Sequence, residues 1–173
     1  MNLDLGSFSL RTPRPSDAES IARHLNNRNV SRNLRDAVPF PYGLEHAQQF
    51  IERFSAPGQR ALVLCIDVDG AAVGAAGIHP LEDVYRRSAE VGSWLAEPFW
   101  GRGIATLAVR ALSDAGFAQF PEIVRLQATV FGWNPASGRV LEKCGYVREG
   151  VLRQSVFKDG QLGDSFLYAR LRG

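Results

Sequence analysis

The chain has 173 residues, a length that predicts one domain spanning residues 1–173. Of these residues 45% are apolar and 22% charged, as in ordinary folded globular proteins. The formal net charge of +2 argues against nucleic acid and membrane surfaces as partners, since both are bound through clustered positive charge. The two cysteines lie far apart and form no Cys-x-x-Cys or Cys/His cluster, so we expect reduced thiols and no metal. No signal peptide and no apolar run of roughly 18 residues are present, which favours a cytoplasmic protein. Both a monomer and a homodimer are left open.

The first half of the chain predicts a strand, helices and a hairpin. In order, we expect a strand at Ser7–Arg11, a short helix capped by Ser16 with Glu19 reaching back, a short helical turn and loop at Asn26–Gly43, a helix at Leu44–Phe54, and strands at Ala61–Asp67 and Val73–His79 joined by the turn Asp69-Gly70.

The second half predicts an alternation of strands and helices. In order, we expect a strand at Ala89–Leu95, a helix at Gly103–Phe120, a strand at Arg125–Phe131, a helix from Pro135 to Lys143 or Cys144, and strands at Tyr146–Leu152 and Leu162–Leu171 joined through Asp159-Gly160. The crossover helix Gly103–Phe120 implies a parallel strand pair, so the sheet is mixed.

A glycine-rich segment between a strand and the long helix is the most informative motif. It reads Trp100-Gly101-Arg102-Gly103-Ile104-Ala105-Thr106. The glycines allow a close backbone approach, and the first-turn N–H groups of the helix with its dipole form an anion site suited to a phosphate or pyrophosphate. The alternative is a turn that only enters the helix. The segment lacks the Lys-Ser/Thr of a P-loop and the third glycine of a dinucleotide fingerprint.

A second motif begins at Asn134-Pro135-Ala136-Ser137 and ends at Glu142-Lys143-Cys144-Gly145-Tyr146. Asn134 precedes a proline and is explained equally well as the cap of its own helix. Ser137 lies in the first turn and is also explained as a local cap.

Together these motifs resemble the GNAT superfamily of N-acetyltransferases, which use acetyl-CoA. The glycine segment is similar to the Q/R-x-x-G-x-G/A signature, with Trp100 at its first position. The second motif and the opening Leu10–Ala18 resemble the branch that acetylates the N-termini of ribosomal proteins. The resemblance covers residues 7–171 and implies an α+β fold: a mostly antiparallel sheet of six to seven strands, helices on both faces, and a splayed parallel pair.

By this resemblance, acetyl-CoA is the acyl donor and several positions would bind it. The pyrophosphate would lie on the backbone of Gly101, Arg102, Gly103, Ile104, Ala105 and Thr106; the pantetheine arm would pair with Trp94, Leu95 and Ala96; Asn134 and Ser137 would contact the pantetheine region; and Arg139 or Lys143 would reach the adenosine phosphates. The acetyl group would be passed directly to the acceptor, since neither cysteine is placed as a covalent carrier.

The attacking amine must be neutral, and a base or water path is needed to remove its proton. Glu90 is the candidate base and His79 a second one, with an ion pair between Glu90 and an arginine as the alternative. The developing oxyanion needs a donor, for which the N–H of Leu95 or Ala96 is a candidate. Leu141 stands where many family members have a tyrosine acid, so Ser137 becomes the candidate acid, with water as the alternative.

The acceptor is expected to be a primary amine: a protein or peptide N-terminus, or a small amine such as a polyamine or an antibiotic. We expect its site in the loops Arg28–Tyr42 and Pro80–Arg87 and the hairpin Ser155–Gly163. The candidate wall residues are Phe40, Tyr42, Tyr85, Trp94 and Phe157. The rival interpretation is a non-catalytic acyl-CoA-binding or interaction module on the same fold.

Overall fold

The computed structural model describes all residues, 1–173. Its strands are β1 (Asn2–Asp4), β2 (Ser9–Arg11), β3 (Leu62–Val68), β4 (Ala71–Pro80), β5 (Ser88–Leu95), β6 (Arg125–Phe131), β7 (Val147–Lys158) and β8 (Gln161–Leu171). Its helices are α1 (Ala18–Leu25), α2 (Arg28–Ser31), α3 (Leu44–Ser55), α4 (Ile104–Gln119) and α5 (Pro135–Lys143).

All strands form one sheet in the order β1-β2-β3-β4-β5-β6-β8-β7. Every neighbouring pair is antiparallel except β5–β6, which is parallel. The mixed α+β fold with one parallel pair is therefore confirmed, but the sheet has eight strands rather than six or seven. The additional strand, β1, pairs with β2 after a turn at Gly6. Its three residues are too few to show an alternating pattern, and for this reason the sequence did not reveal it.

Both predicted hairpin turns are present. Asp69 and Gly70 have φ of 53° and 84°, and Asp159 and Gly160 have φ of 52° and 77°. Two successive positive φ values define the type I′ turn, whose twist matches that of paired strands.

The start of α1 differs from the prediction. Ser16 lies in a short 3₁₀ turn, Pro15–Asp17, and does not cap the helix. Asp17 instead accepts the Arg14 N–H at 2.7 Å and both terminal nitrogens of the buried Arg11 at 2.7 Å. The Arg11 guanidinium also donates to Asp67. Because a buried guanidinium needs carboxylate partners, this long-range requirement determines the local geometry at Asp17.

The last hairpin is longer than predicted. Strand β7 continues to Lys158 through a bulge, where its register with β8 shifts between Leu152 and Val156. Gln154 has a positive φ of 50° and donates its N–H to Asp164 at 2.8 Å. The polar residues of this bulge interrupt the alternation of apolar and polar residues, so the sequence did not predict the second half of the strand.

Helices cover both faces of the sheet. One large core packs α4 and α5 against the strands, around fully buried residues such as Ile78, Leu112 and Leu126. A smaller core on the other face joins α1, α2 and α3, around Ile21 and Ala47. Trp94 lies half-buried against both cores.

Candidate active site

The site is organised by the short parallel pairing of β5 with β6. These strands pair over three positions only, ending at Glu90 opposite Gln127. Beyond that point β5 continues to pair with β4 up to Leu95, and β6 with β8 up to Phe131. The two halves of the sheet therefore separate, and an opening lies between them with Glu90 at its closed end.

The backbone of β5 presents polar groups to this opening. Ala96 donates its N–H to Val73 at 2.8 Å, on the β4 side, and its carbonyl accepts the Phe99 N–H at 3.0 Å. Backbone N–H groups alternate between the two edges of an antiparallel strand, so the Leu95 N–H is directed into the opening. Of the two predicted oxyanion donors, the structure thus leaves Leu95 available and shows Ala96 engaged.

At the other end of the opening lies the glycine segment. Gly101 and Gly103 have φ of 76° and 77°, and Gly103 precedes α4 without any side-chain cap. The six successive N–H groups from Gly101 to Thr106 donate no hydrogen bond within the chain. Six unpaired donors at the positive end of a 16-residue helix form a cradle whose chemistry fits a pyrophosphate.

Trp100, at the first position of the signature, ties this loop to β5. Its indole Nε1 donates to the Leu95 carbonyl at 2.7 Å. The loop and the strand edge are thereby held together, so the cradle and the Leu95 N–H keep a fixed separation. Sequence analysis did not anticipate this bond, because the residue falls outside the family pattern at that position.

The basic side chains near the cradle differ in their contacts. Arg102 stacks over the Phe99 ring at 5.3 Å, whereas Arg139 and Lys143 are exposed on α5. Arg110 donates to the Lys143 carbonyl at 2.6 Å and satisfies the end of α5, a role that sequence analysis missed. The Cys144 thiol lies 3.2 Å from the Thr106 carbonyl, which fixes the end of α5 against the first turn of α4.

The start of α5 is as the sequence indicates. Asn134 caps the helix, its Oδ1 accepting the Ser137 N–H at 3.4 Å, and Pro135 follows as the first helical residue. Ser137 is half-buried. Leu141, at the position of the family's tyrosine, is 4% exposed and packs in the large core.

Glu90 lies in a cluster with His79 and Arg35. His79 is its direct partner on β4, and Arg35, from the segment after α2, forms an ion pair with the Glu90 carboxylate. The arginine ion pair that sequence analysis gave as the alternative for Glu90 is therefore present, and the role of Glu90 as a base stays a prediction. Desolvation of the His79 ring, which packs against Phe54 at 5.9 Å, lowers the pKa of this histidine below its usual value, although Glu90 opposes the effect.

A cavity of about 360 Å³ opens on the same face of the sheet. Its wall comes from the segment after α2, from β6 and from the last hairpin: Arg35, Asp36, Thr129, Phe131, Leu152, Ser155, Val156, Phe157, Lys158 and Ser165. Trp133, in the loop after β6, donates to the Arg32 carbonyl at 3.3 Å and ties the end of α2 to that loop. Arg28, in α2, pairs with Asp159 at the turn of the last hairpin at 3.1 Å.

Among the predicted wall residues, only Phe157 lines this cavity. Tyr42 is buried in the smaller core and Trp94 packs between the two cores, while Tyr85 projects from the surface with 67% exposure. Phe40 lies under the Arg28 guanidinium at 5.0 Å. The positions of aromatic residues in the sequence did not distinguish side chains that pack in a core from side chains that line the cavity. The charged residues of the cavity wall were missed because their partners are remote in sequence.

No group of three or more His, Cys, Asp or Glu side chains is arranged to hold a metal ion. None of the helices is long and apolar enough to cross a membrane.

Comparison with known proteins identifies the family of the chain. The model of the acetyltransferase (GNAT) domain family matches residues 8–147, so the chain belongs to the GNAT family of acetyl-CoA-dependent N-acetyltransferases. The family predicted from the motifs is thus confirmed.

Relatives of the chain include N-acetyltransferases of bacteria. It is 29% identical over 171 residues to the Uncharacterized N-acetyltransferase YoaA of Bacillus subtilis, covering 96% of this chain and 94% of YoaA. It is 36% identical over 85 residues to the ribosomal-protein-serine acetyltransferase of Escherichia coli, covering 49% and 47%. The fold matches RimL, a ribosomal L7/L12 alpha-N-protein acetyltransferase in complex with coenzyme A, with TM-score 0.85 and 22% identity over 99% and 98% of the two chains.

Proposed function

We propose that this chain transfers the acetyl group of acetyl-CoA directly to a primary amine, with both substrates bound at once. The opening between β5 and β6 carries the proposal, because it joins a cradle of six free N–H groups to a carboxylate–histidine cluster. Both cysteines are buried, and burial raises the pKa of the Cys65 thiol to about 12 and that of Cys144 above its usual value. A thiolate carrier is therefore disfavoured.

The donor site is assigned first to backbone groups. The N–H groups of Gly101–Thr106 would bind the pyrophosphate, and the Leu95 N–H would hold the pantetheine arm at the edge of β5, beside Trp94. Ala96 would contribute by position alone, since its own N–H and carbonyl are engaged. Asn134 would contact the arm from the start of α5.

The side chains Arg102, Arg139 and Lys143 would contact the adenosine phosphates as point charges around the donor site. Acetyl-CoA supplies a thioester, whose carbonyl carbon accepts a nucleophile and whose thiolate leaves.

The transfer itself needs a base, an oxyanion donor and an acid. Glu90 takes a proton from the acceptor ammonium once Arg35 moves aside, with His79, adjacent and neutral, as the second acceptor of that proton. The freed amine nitrogen bonds to the carbonyl carbon as the carbon–sulfur bond breaks. Leu95 donates its N–H to the carbonyl oxygen while negative charge develops there. The nitrogen gives up its second proton as the amide forms, and the Ser137 hydroxyl would take up this proton while it passes its own to the leaving sulfur.

Two classes of acceptor amine fit this proposal. A protein or peptide N-terminus is supported by the ribosomal-protein acetyltransferases among the relatives. A small free amine is supported by the modest size of the cavity, about 360 Å³.

The test is acetyl-CoA turnover, followed as thiol release, across peptides and small amines. We expect turnover with at least one amine, and a fall of about a hundredfold in kcat for Glu90→Gln. The exposed Glu82, which pairs with Arg60 on the surface, provides the control Glu82→Gln, whose rate should match that of the unaltered chain. Tight CoA binding without turnover of any amine would refute the transferase assignment for this chain, and an unchanged rate and pH profile in Glu90→Gln would exclude Glu90 as the base.

A further inference from the structure

Lys158 is a buried cation in the wall of the acceptor cavity. Its side chain is 8% exposed, and its ammonium donates to Asp36 at 2.7 Å. The Asp36 side chain, by contrast, is 80% exposed. A buried charge is costly unless it is paired, so Lys158 requires an anion, and the anion that it has is held only loosely by the protein.

The ammonium also has spare donor capacity. It carries three N–H groups, and Asp36 is its one hydrogen-bond acceptor in the chain. The hydroxyls of Ser155 and Ser165, 2.6 Å apart, line the same cavity, and Ser155 also donates to the Leu152 carbonyl at 2.9 Å. A carboxylate has two oxygens and accepts several hydrogen bonds, so the spare N–H groups of the Lys158 ammonium match it in charge and donor type.

A second ion pair of the same construction lies at Glu90. The Glu90 side chain is 27% exposed and its partner, Arg35, is 65% exposed. In both pairs the more buried ion belongs to the sheet and the more exposed ion to the segment after α2. Arg35 and Asp36 are adjacent in sequence, so the two exposed ions are presented by one dipeptide.

The two ion pairs lie on the same face of the sheet, next to the cavity. Gln127, opposite Glu90, and Thr129, in the cavity wall, are two residues apart on β6 and hence on one face, about 7 Å along the strand. Arg35 both contacts Glu90 and lines the cavity. An acceptor in the cavity that extends along β6 would therefore reach Glu90 as well as Lys158.

We propose that the acceptor is a primary amine that also carries a carboxylate, with Lys158 as the residue that selects the carboxylate. This inference rests on the proposed function. The ammonium of the acceptor replaces Arg35 at Glu90, and its carboxylate replaces Asp36 at Lys158. The exchange leaves Lys158 and Glu90 paired and releases two exposed side chains of opposite charge to water. A free amino acid and a protein N-terminus with an early acidic side chain share this chemistry.

Matched acceptors test the proposal and separate the two sources. Turnover and calorimetric binding to the CoA-loaded chain are measured for an amino acid and its carboxamide, and for peptides that begin Ser-Asp and Ser-Asn. We expect the carboxylate member of at least one pair to have a KM and a Kd at least about tenfold lower than its neutral counterpart. A preference confined to the free amino acid identifies the small-molecule source, and one confined to the peptides identifies the N-terminus.

Variants then assign the preference to Lys158. In Lys158→Met we expect the ratio of kcat/KM between carboxylate and neutral acceptors to fall to about one. Asp36→Asn removes the competing anion from an exposed position and should lower KM for the carboxylate acceptor, which provides a readout should Lys158→Met fail to fold. Arg153→Gln, an exposed cation on the same hairpin, is the control.

Equal KM and Kd for all matched pairs in the unaltered chain would overturn the proposal even if amines are acetylated. An equal loss for both acceptor types in Lys158→Met would assign Lys158 a structural role and overturn it as well. Absence of turnover with every amine would refute the proposed function, while the binding preference measured by calorimetry would still decide the carboxylate site.

Discussion

Gly103 allows the conformation of the donor cradle to be tested separately from its contacts. Its φ is 77°, and a Cβ added to it would meet no heavy atom within 4 Å. The substitution Gly103→Ala therefore introduces no clash. Its cost is backbone strain, about 1–2 kcal/mol for an L-residue held in the left-handed region.

This strain is divided between folding and binding. If the variant keeps the loop conformation, the free energy of unfolding falls by the full amount and the Kd for CoA stays constant. If the loop relaxes in the free chain, stability is retained and the strain returns on binding, where about 1.4 kcal/mol raises Kd tenfold. We therefore expect the losses in unfolding and binding free energy to sum to about 1–2 kcal/mol.

Urea denaturation and calorimetric titration with CoA measure the two quantities. Gly150→Ala is the matched control, because a Cβ there also meets nothing within 4 Å and its φ lies outside the left-handed region. Both quantities should change by less than about 0.5 kcal/mol in that variant. If Gly103→Ala behaves like the control in both assays, the cradle does not depend on the left-handed conformation, and the reasoning is refuted.

Three further outcomes are expected. Trp100→Phe removes the hydrogen bond to the Leu95 carbonyl and should lower the free energy of unfolding by about 1 kcal/mol, measured in urea. Asp17→Asn deprives the buried Arg11 of its bidentate partner and should cost about 3 kcal/mol. Burial tends to raise the pKa of Asp17, but hydrogen bonds from Arg11 and the backbone outweigh burial and lower the pKa. The stabilisation by ionised Asp17 is therefore present above the ordinary carboxyl pKa and is lost as pH falls through the lowered value. An acid-unfolding profile unaltered by Asp17→Asn would contradict this. Cys65, with a pKa of about 12, should resist thiol reagents at pH 8 until the chain unfolds, as followed by absorbance.

The sequence predicted best those features that are encoded within a few residues. The turn Asp69-Gly70, the helix start Asn134-Pro135 and the glycine segment Gly101–Gly103 each depend on φ preferences or capping that adjacent residues determine, and each forms as expected. The long helix α4 followed from its apolar spacing, and with it the parallel strand pair.

Features that depend on contacts between distant residues were missed. Lys158 and Asp36 are 122 residues apart in sequence, and nothing local to either indicates that one is buried and lines a cavity. The unexpected start of α1 has the same origin. The Asp17 carboxylate is oriented by the buried Arg11 guanidinium and not by the end of the helix. Arg35 was placed in an acceptor loop, but its contact with Glu90 becomes visible only when the sheet is assembled.

The two halves of the site respond differently to substitution because they are built from different groups. The donor cradle consists of backbone N–H groups, so replacing Arg102 removes a peripheral charge and leaves all six donors in place. The proposed acceptor site uses the side chains of Glu90 and Lys158, which are paired with exposed counterions, so one substitution there would delete a recognising group. Changes in this cavity should therefore alter the choice of acceptor while CoA affinity stays constant. A Lys158→Met variant with impaired CoA binding would show that the two halves are not independent.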